Sequence, residues 1–198
     1  MPLVKPETKY TYQDYLTWDD EERWEIIEGV PCNMAPAPAL RHQLAAGNFH
    51  TLLKNKLAGE KCIPFYSPAD VILSGENVVQ PDVFVVCDPK KITEKNIRGA
   101  PDLVFEVLSP STERKDRWEK KRVYEKFGVR EYILLDLDAM YAERFLLQED
   151  GEFDQGEVFG KEGAIQLKSL DNLEIHIKEI LEFPDLQDST QTNEKKSS

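Results

Sequence analysis

Two short apolar segments that each carry an acidic residue constrain the fold of this chain most. Residues 78–86 and 103–108 are rich in β-branched and large apolar side chains and are flanked by Pro, Gly and Asp. That pattern is typical of buried strands. The first segment contains Asp82 and the second contains Glu106. An ionised carboxylate in a buried strand is costly unless a cation or hydrogen-bond donors compensate it.

Two interpretations of this pair of acids follow from the sequence. Either acid alone fits the end of a strand, where the carboxylate faces water. Two carboxylates that converge from neighbouring strands instead fit a divalent cation, since Mg²⁺ is commonly held by one or two carboxylates, with waters and substrate phosphates as its other ligands. The residue pattern by itself leaves both interpretations open.

Length and composition predict one globular domain. The chain has 198 residues, of which 40% are hydrophobic, enough for a single substantial core. No apolar run approaches the length of a membrane span, so we expect no membrane partner. The three cysteines, Cys32, Cys62 and Cys87, are odd in number and lack CxxC spacing. This argues against a disulfide framework and against a zinc site, and it favours a reducing cytoplasm.

The net charge of −12 argues against nucleic-acid binding, but the charge is unevenly distributed. Residues 112–130 contain eight Lys or Arg and four acids. Arg114, Lys115 and Arg117 are therefore candidate phosphate contacts. The alternative is a solvated helix stabilised by ion pairs at i,i+4 spacing, such as Asp116 with Lys120.

The remaining pattern predicts a mixed α and β domain between two polar ends. We expect an N-terminal arm at residues 1–10, a domain at 11–183 and a disordered polar tail at 184–198. Helices are predicted from Thr11, over 39–57 and over 113–127, where Gly128 ends the last one. Predicted strands, in chain order, are a hairpin over 24–34, then 63–66, 71–73, 78–86, 103–108, 131–136 and 141–148, and 173–183 should hold a strand and a short helix.

The order of these elements resembles the PD-(D/E)XK nuclease superfamily, and more closely its Uma-type family of restriction-endonuclease-like bacterial proteins. The resemblance covers roughly residues 12–136. It is carried by residues 24–29, Arg41-His42-Gln43, Gln80-Pro81-Asp82, 101–112, Asp116 with Lys120 and Tyr124, and 127–132. It implies an α/β fold of the α+β type, a restriction-endonuclease-like core with a mixed central β-sheet flanked by helices.

Two Pro-Asp pairs compete for the acid that would act with Glu106. Asp102 and Glu106 lie four residues apart on one strand, so about 13 Å separates their Cα atoms. That separation is too large for two ligands of one Mg²⁺. Asp82 lies on a different strand and can sit beside Glu106. We therefore assign Asp82 and Glu106 to the metal, with the backbone of Val107 as an extra ligand, and place Asp102 at the start of its strand.

The sequence departs from the motif that names the superfamily. The Glu-X-Lys pattern would place lysine at position 108, which is Leu108. The resemblance implies that the lysine has moved to Lys120 on the following helix. Asp116, Lys120 and Tyr124 share one face of that helix, and this face can look back on the acids. The alternative is that Lys120 pairs with Asp116 at the surface.

Two further residues match family positions. Glu25 in the hairpin is a candidate supporting metal contact, or else a solvent-facing strand residue. His42 on the first long helix is a candidate contact to phosphate or metal, or else a polar residue packed at an edge. Asp116 and Tyr124 are the other supporting candidates.

The resemblance implies a Mg²⁺-dependent endonuclease that hydrolyses DNA, for which Mn²⁺ would be a substitute. A homodimer is expected because cutting two strands suits two-fold symmetry, and because Trp18, Trp24, Trp118 and residues 132–135 exceed the apolar needs of one small domain. The rival is a catalytically inactive nuclease-fold module for binding or assembly, which the acidic charge and the displaced lysine favour.

Overall fold

The computed structural model describes residues 8–19, 22–34 and 37–184. Most of the expected arm and nearly all of the expected tail lie outside the described residues.

The helices are α1 (Tyr12–Tyr15), α2 (Leu40–Lys56), α3 (Lys121–Phe127) and α4 (Ile177–Ile180), with 3₁₀ turns at Pro89–Lys91 and Lys168–Leu170 and a π-helical segment at Lys115–Lys120. The strands are β1 (Trp24–Ile27), β2 (Val30–Asn33), β3 (Ile63–Tyr66), β4 (Val71–Ser74), β5 (Asn77–Val79), β6 (Val83–Val86), β7 (Ile97–Arg98), β8 (Leu103–Val107), β9 (Glu131–Asp136), β10 (Tyr141–Leu146), β11 (Glu157–Gly160), β12 (Ala164–Leu167) and β13 (Leu173–His176).

A six-stranded mixed sheet forms the centre of the domain. Its strand order is β11-β10-β9-β8-β6-β3. Strand β8 pairs in parallel with β9 and antiparallel with β6. A second sheet has the order β2-β1-β5-β4-β7, and β12 pairs with β13. The expected mixed sheet flanked by helices is confirmed.

Helices cover both faces of the central sheet. On one face Phe49 of α2 stacks on Phe105 of β8, with 4.1 Å between the ring centroids. On the other face Val123 and Tyr124 of α3 pack against Val104. Because β6 and β8 are buried on both faces, they read in sequence as continuous apolar runs rather than as alternating patterns.

The single strand expected over residues 78–86 is wrong. The segment contains β5 and β6, which belong to different sheets. The break lies at Pro81, which has no N–H to donate to a sheet ladder. The N–H of Gln80 is also diverted, because it donates to the Glu25 carboxylate at 3.0 Å. The break places Asp82 immediately before β6, at the edge of the central sheet's buried region.

The argument against a disulfide framework is also wrong for one pair of cysteines. Cys62 and Cys87 are bonded across a sequence separation of 25 residues. Cys62 precedes β3 and Cys87 follows β6, and the register pairs Ile63 with Val86. The two sulfurs are therefore brought together by strand pairing, which the spacing of cysteines in sequence does not reveal. Cys32 is the free cysteine of the described residues.

The aromatic residues that suggested an apolar surplus are mostly used inside the domain. Trp24 is 2% exposed, and Trp18 packs edge-on against it at 5.5 Å between ring centroids. Residues 132–135 of β9 are buried. Trp118, by contrast, is 72% exposed. That part of the argument for a dimer therefore rests on Trp118 alone.

The C-terminal part of the domain contains more strand than the sequence predicted. Strands β11 and β12 lie between the predicted segments 141–148 and 173–183, where the sequence pattern predicted no strand, whereas β13 and α4 match the expected strand and short helix. Among the described residues, no helix combines the length and the apolar character needed to cross a membrane.

Candidate active site

Glu106 lies at the centre of the site, on strand β8 and only 3% exposed. One carboxylate oxygen accepts hydrogen bonds from the Lys120 ammonium and from the Tyr124 hydroxyl, both at 2.9 Å. The other oxygen accepts from the backbone N–H of Asp82 at 3.2 Å. Since each oxygen has a donor, the orientation of this buried carboxylate is fixed.

Asp82 forms a second hydrogen bond back to strand β8. Its carboxylate accepts a hydrogen bond from the backbone N–H of Val107 at 2.8 Å. Nε2 of His42 lies 3.2 Å from the same oxygen, and His42 also hydrogen-bonds the backbone of Val107. Antiparallel pairing of β6 with β8, which sets Val83 opposite Phe105, makes this reciprocal arrangement possible.

The π-helical segment supplies both lysines of the site. The Lys120 ammonium lies 2.9 Å from Glu25 and 3.5 Å from Asp116 as well as contacting Glu106. Lys115 pairs with the other oxygen of Glu25 at 3.1 Å. A π-helical turn is wider than an α-helical one and is often found at functional sites. Here Asp116 and Lys120 of this segment are both buried.

These side chains converge on one cavity of about 450 Å³. Of the residues singled out in the sequence, those lining it are Glu25, His42, Asp82, Glu106, Val107, Lys115, Asp116 and Lys120. Tyr124 lies behind Glu106 and is fully buried.

The structure does not bring every candidate residue into the cavity. Arg114 is exposed. Arg117 is tied to strand β10, where it donates to Glu143 and to the Tyr141 hydroxyl, both at 2.8 Å. Leu108, at the position of the missing motif lysine, is 8% exposed and belongs to the apolar cluster beneath α3.

Asp102 has a separate structural place. Its carboxylate accepts a hydrogen bond from the backbone N–H of Cys87 at 2.8 Å and lies 3.4 Å from Arg130. It does not line the cavity that holds Asp82 and Glu106.

Burial and crowding of like charges dominate the electrostatics of the site. Burial raises the pKa of Glu106 to about 8, because repulsion from Asp116, Asp82 and Glu25 adds to it and Lys120 offsets only part. Burial likewise raises the pKa of Asp116. Burial opposes charge on Lys120, but the carboxylates outweigh it and hold its pKa well above the ordinary value.

The pKa values of Glu25 and His42 are shifted in the direction that favours the charged form of each side chain. Burial works against ionised Glu25, yet Lys120, Lys115 and the N–H of Gln80 lower its pKa below the ordinary value. Burial also works against charge on His42, but its hydrogen bond and attraction to Asp82 raise the pKa of the imidazole.

The charge of the connected ion pairs fits the addition of a divalent cation once Glu106 releases its proton. Four carboxylates, Glu25, Asp82, Glu106 and Asp116, face two lysines and one histidine. One oxygen of Asp116 is buried without a hydrogen-bond partner. Among the described residues no group of three or more His, Cys, Asp or Glu is arranged to hold an ion. Two carboxylates and a backbone oxygen nevertheless suit Mg²⁺, which keeps several of its waters.

Arg23 is not among the candidate residues from the sequence, and Gln80 is named only as part of the motif that carries the resemblance. Arg23 and Gln80 both line the cavity, and Gln80 accepts two hydrogen bonds from Arg23, at 2.7 and 3.0 Å. A signal for each exists in the sequence. Gln80 directly precedes the Pro81-Asp82 pair, and Arg23 is the one basic residue between positions 12 and 30.

Comparison with known proteins found a matching family model, a relative and a solved structure of similar fold. A family model, Uma2, described as "Putative restriction endonuclease", matches residues 12–178. An uncharacterized protein of Synechocystis sp. is 30% identical over 152 residues, covering 75% of this chain and 80% of that protein. A crystal structure described as a putative nuclease belonging to DUF820, from Anabaena variabilis, has a TM-score of 0.71 at 20% identity and covers 86% of this chain and 97% of that one. At this identity the structural match shows the fold, and it confirms the nuclease-like core expected from the sequence.

Proposed function

Because the chain belongs to the Uma2 family of restriction-endonuclease-like proteins, we propose that it is a Mg²⁺-dependent endonuclease that hydrolyses phosphodiester bonds in DNA. One observation carries the proposal. The ammonium of Lys120 lies 2.9 Å from the Glu106 carboxylate, in the same cavity as Asp82 and the backbone of Val107. The family supplies the coarser statement of a nuclease, whereas the metal, the residues and the substrate belong to the proposal.

Each residue then has a role set by its contacts. Asp82, Glu106 and the Val107 backbone would hold Mg²⁺ or Mn²⁺, which when bound supplies a Lewis acid beside the phosphate. Lys120 keeps its proton, orients the attacking water and offsets charge that develops on the phosphate oxygens. The Tyr124 hydroxyl fixes one oxygen of Glu106, and His42 fixes Asp82.

Calorimetric titration of Mg²⁺ and Mn²⁺ tests the metal assignment. We expect a binding heat for the native chain that is lost in Asp82→Asn and in Glu106→Gln. Asp102→Asn is the matched control, since it changes the other Pro-Asp pair, which lies outside the cavity, and it should bind the metal normally. Equal binding by Asp82→Asn and Asp102→Asn would remove Asp82 from the metal site.

A second candidate function is a catalytically inactive nuclease-fold module for binding or assembly. The observation that favours it is the number of carboxylates around Lys120, combined with the net charge of −12. Incubation of supercoiled plasmid with Mg²⁺ or Mn²⁺ separates the two functions. Nicking or linearisation that is lost in Glu106→Gln supports the enzyme, whereas metal binding without any cleavage of DNA supports the inactive module.

The proposal includes a homodimer in a cytoplasmic setting. Two active sites related by two-fold symmetry suit the cutting of two strands, and Trp118 is an exposed aromatic residue available for an interface. A monomer mass by light scattering at micromolar concentration would count against the dimer. In a cytoplasmic setting the Cys62–Cys87 disulfide would have to persist against the reducing thiol pool, as few cytosolic disulfides do.

A further inference from the structure

A second cavity, of about 800 Å³, adjoins the catalytic one. The two cavities share Arg23, His42, Ser67 and Asp82 among their lining residues. Along α2 the second cavity is lined by small or uncharged polar residues, including Gly47, beside which a Cβ atom would meet nothing within 4 Å. The two cavities therefore provide a continuous path away from the catalytic acids.

An exposed aromatic pair lies on this path. Tyr66 ends strand β3, is 61% exposed, and its ring lies 4.6 Å from that of His50 on α2, at an interplanar angle of 57°. Burial lowers the pKa of His50 below its ordinary value, so its ring is neutral at physiological pH. Tyr66 is paired with Val83, the residue after Asp82. The aromatic surface is thus one residue in register from a catalytic acid.

A positioned cation lies where the two cavities meet. The guanidinium of Arg23 donates to Gln80 and, at 2.7 Å, to the hydroxyl of Ser67. Gln80 in turn donates to Asp70 at 2.9 Å. Within the described residues Arg23 hydrogen-bonds these neutral groups and forms no ion pair with a carboxylate, although its charge attracts the Asp70 carboxylate beyond Gln80. Its charge is therefore held in place and available to an anion, such as a phosphate.

The two acids that line the second cavity, Glu22 and Asp82, are compatible with an anion bound at Arg23. Glu22 is exposed and accepts a hydrogen bond from the side chain of Asn33. Asp82, the other acid of the lining, is the proposed metal ligand. The rest of the lining is uncharged apart from Arg23 and His42, which suits a strand whose bases are neutral and whose backbone is anionic.

From this arrangement we infer that the second cavity binds an unpaired nucleotide next to the scissile phosphate, with its base stacked on Tyr66 and its phosphate at Arg23. Stacking on an aromatic ring tolerates every base, because every base has a π-face. A base inside a duplex is already stacked on its neighbours and cannot use the ring. The substrate class is therefore nucleic acid that is single-stranded, or that has an unpaired nucleotide at the cleavage point. The inference rests on the proposed nuclease function and narrows its substrate.

Fluorescence anisotropy with two labelled strands tests the inference. One probe is a short oligothymidylate, and the other is an abasic strand of equal length that keeps the phosphates but lacks bases. Both are titrated in EDTA and, in parallel, in CaCl₂. The native chain should prefer the oligothymidylate, and Tyr66→Ala should weaken its binding by about 5- to 150-fold, as expected for one stacked base. Tyr66→Phe, which keeps the ring, should bind as the native chain does.

Binding of the abasic strand provides the internal control. It should be the same for Tyr66→Ala and the native chain, whereas Arg23→Gln should weaken the binding of both strands. Val158→Ala, which changes a side chain 63% exposed on strand β11, should alter neither. Unchanged oligothymidylate binding by Tyr66→Ala, with native binding intact, would overturn this inference and leave the proposed function standing. Failure of the native chain to bind either strand in both buffers would also overturn this inference, and the plasmid cleavage assay would then decide the proposed function by itself.

Discussion

At the scale of single residues, Lys120 is the side chain on which the site depends most. It is 4% exposed and lies within 3.5 Å of three carboxylates, those of Glu25, Glu106 and Asp116. A buried cation of this kind has a structural role whatever its catalytic one, because the acids around it would otherwise repel each other in a poorly solvated space.

Replacing Lys120 should therefore affect stability as well as rate. In Lys120→Met we expect the free energy of unfolding, measured by urea denaturation at neutral pH, to fall by about 3–5 kcal/mol. Cleavage should fall by about 10²–10³, the typical cost of one preorganised charge. Adding Glu106→Gln to this variant should recover part of the stability and none of the activity. Native stability and native cleavage in Lys120→Met would assign Lys120 to neither role.

The raised pKa of Glu106 predicts how stability and Mg²⁺ affinity depend on pH. With its pKa raised to about 8 from an ordinary value of 4.5, the folded chain keeps a proton that the unfolded chain has released. This group therefore contributes progressively less to stability as pH rises from about 4.5 to 8. A metal ligand must also give up its proton, so Mg²⁺ affinity should rise with pH across the upper part of this window and level off above about 8.

Calorimetry in buffers of different ionisation enthalpy measures this proton directly. About one proton should be released per Mg²⁺ bound at pH near 6.5, and almost none at pH near 9. Asp102→Asn should behave as the native chain does. Proton release that does not depend on pH would show that Glu106 is already ionised before the metal binds.

At the scale of elements, the sequence predicted the strands that carry the acids and the helix that carries the lysine. It did so because apolar periodicity and the Gly128 helix end are local signals. It did not predict that residues 78–86 divide between two sheets, since the separation depends on Glu25, from a distant hairpin, accepting the Gln80 N–H. The π-helical segment and the aromatic pair of Tyr66 and His50 depend equally on tertiary contacts, and no sequence spacing marks them.

The basic helix contains two kinds of arginine, and they should respond differently to replacement. Arg114 is exposed, so Arg114→Ala should leave stability unchanged and flatten the salt dependence of duplex binding by about one phosphate contact. Arg117 joins the helix to Glu143 and Tyr141 on β10. Arg117→Ala should therefore lower the free energy of unfolding by about 1–3 kcal/mol, with little change in the salt slope.

Thermal or urea denaturation together with binding titrations over a range of salt concentrations distinguishes these two effects. Lys126→Ala near the end of α3 is a suitable control for the loss of a positive charge from the same helix. A reduced salt slope in Arg117→Ala with native stability would place Arg117 on the binding surface instead.

At the scale of the whole molecule, the central sheet holds the two proposed metal-binding acids away from its two edges. Strands β8 and β6, which position Glu106 and Asp82, are followed on one side by β3, an edge strand of this sheet. Strand β3 contributes Tyr66 to the lining of the second cavity. Loss of β3 from the sheet would therefore also remove the aromatic ring from the proposed substrate path. The disulfide lies at the opposite end of the same strand pair, beside Ile63 and Val86.

The Cys62–Cys87 bond should therefore help to hold the edge strand β3 against β6. The bond closes a loop of 25 residues and so lowers the conformational entropy of the unfolded chain. In the loop-entropy treatment this raises the free energy of unfolding by about 3–4 kcal/mol. Dithiothreitol should lower the free energy of unfolding of the native chain by about this amount. A double variant, Cys62→Ser with Cys87→Ser, should match the reduced chain and no longer respond to reductant, whereas Cys32→Ser should respond as the native chain does. Identical urea transitions with and without dithiothreitol would show that the bond does not stabilise the protein in solution, and would restore the argument for a reducing compartment.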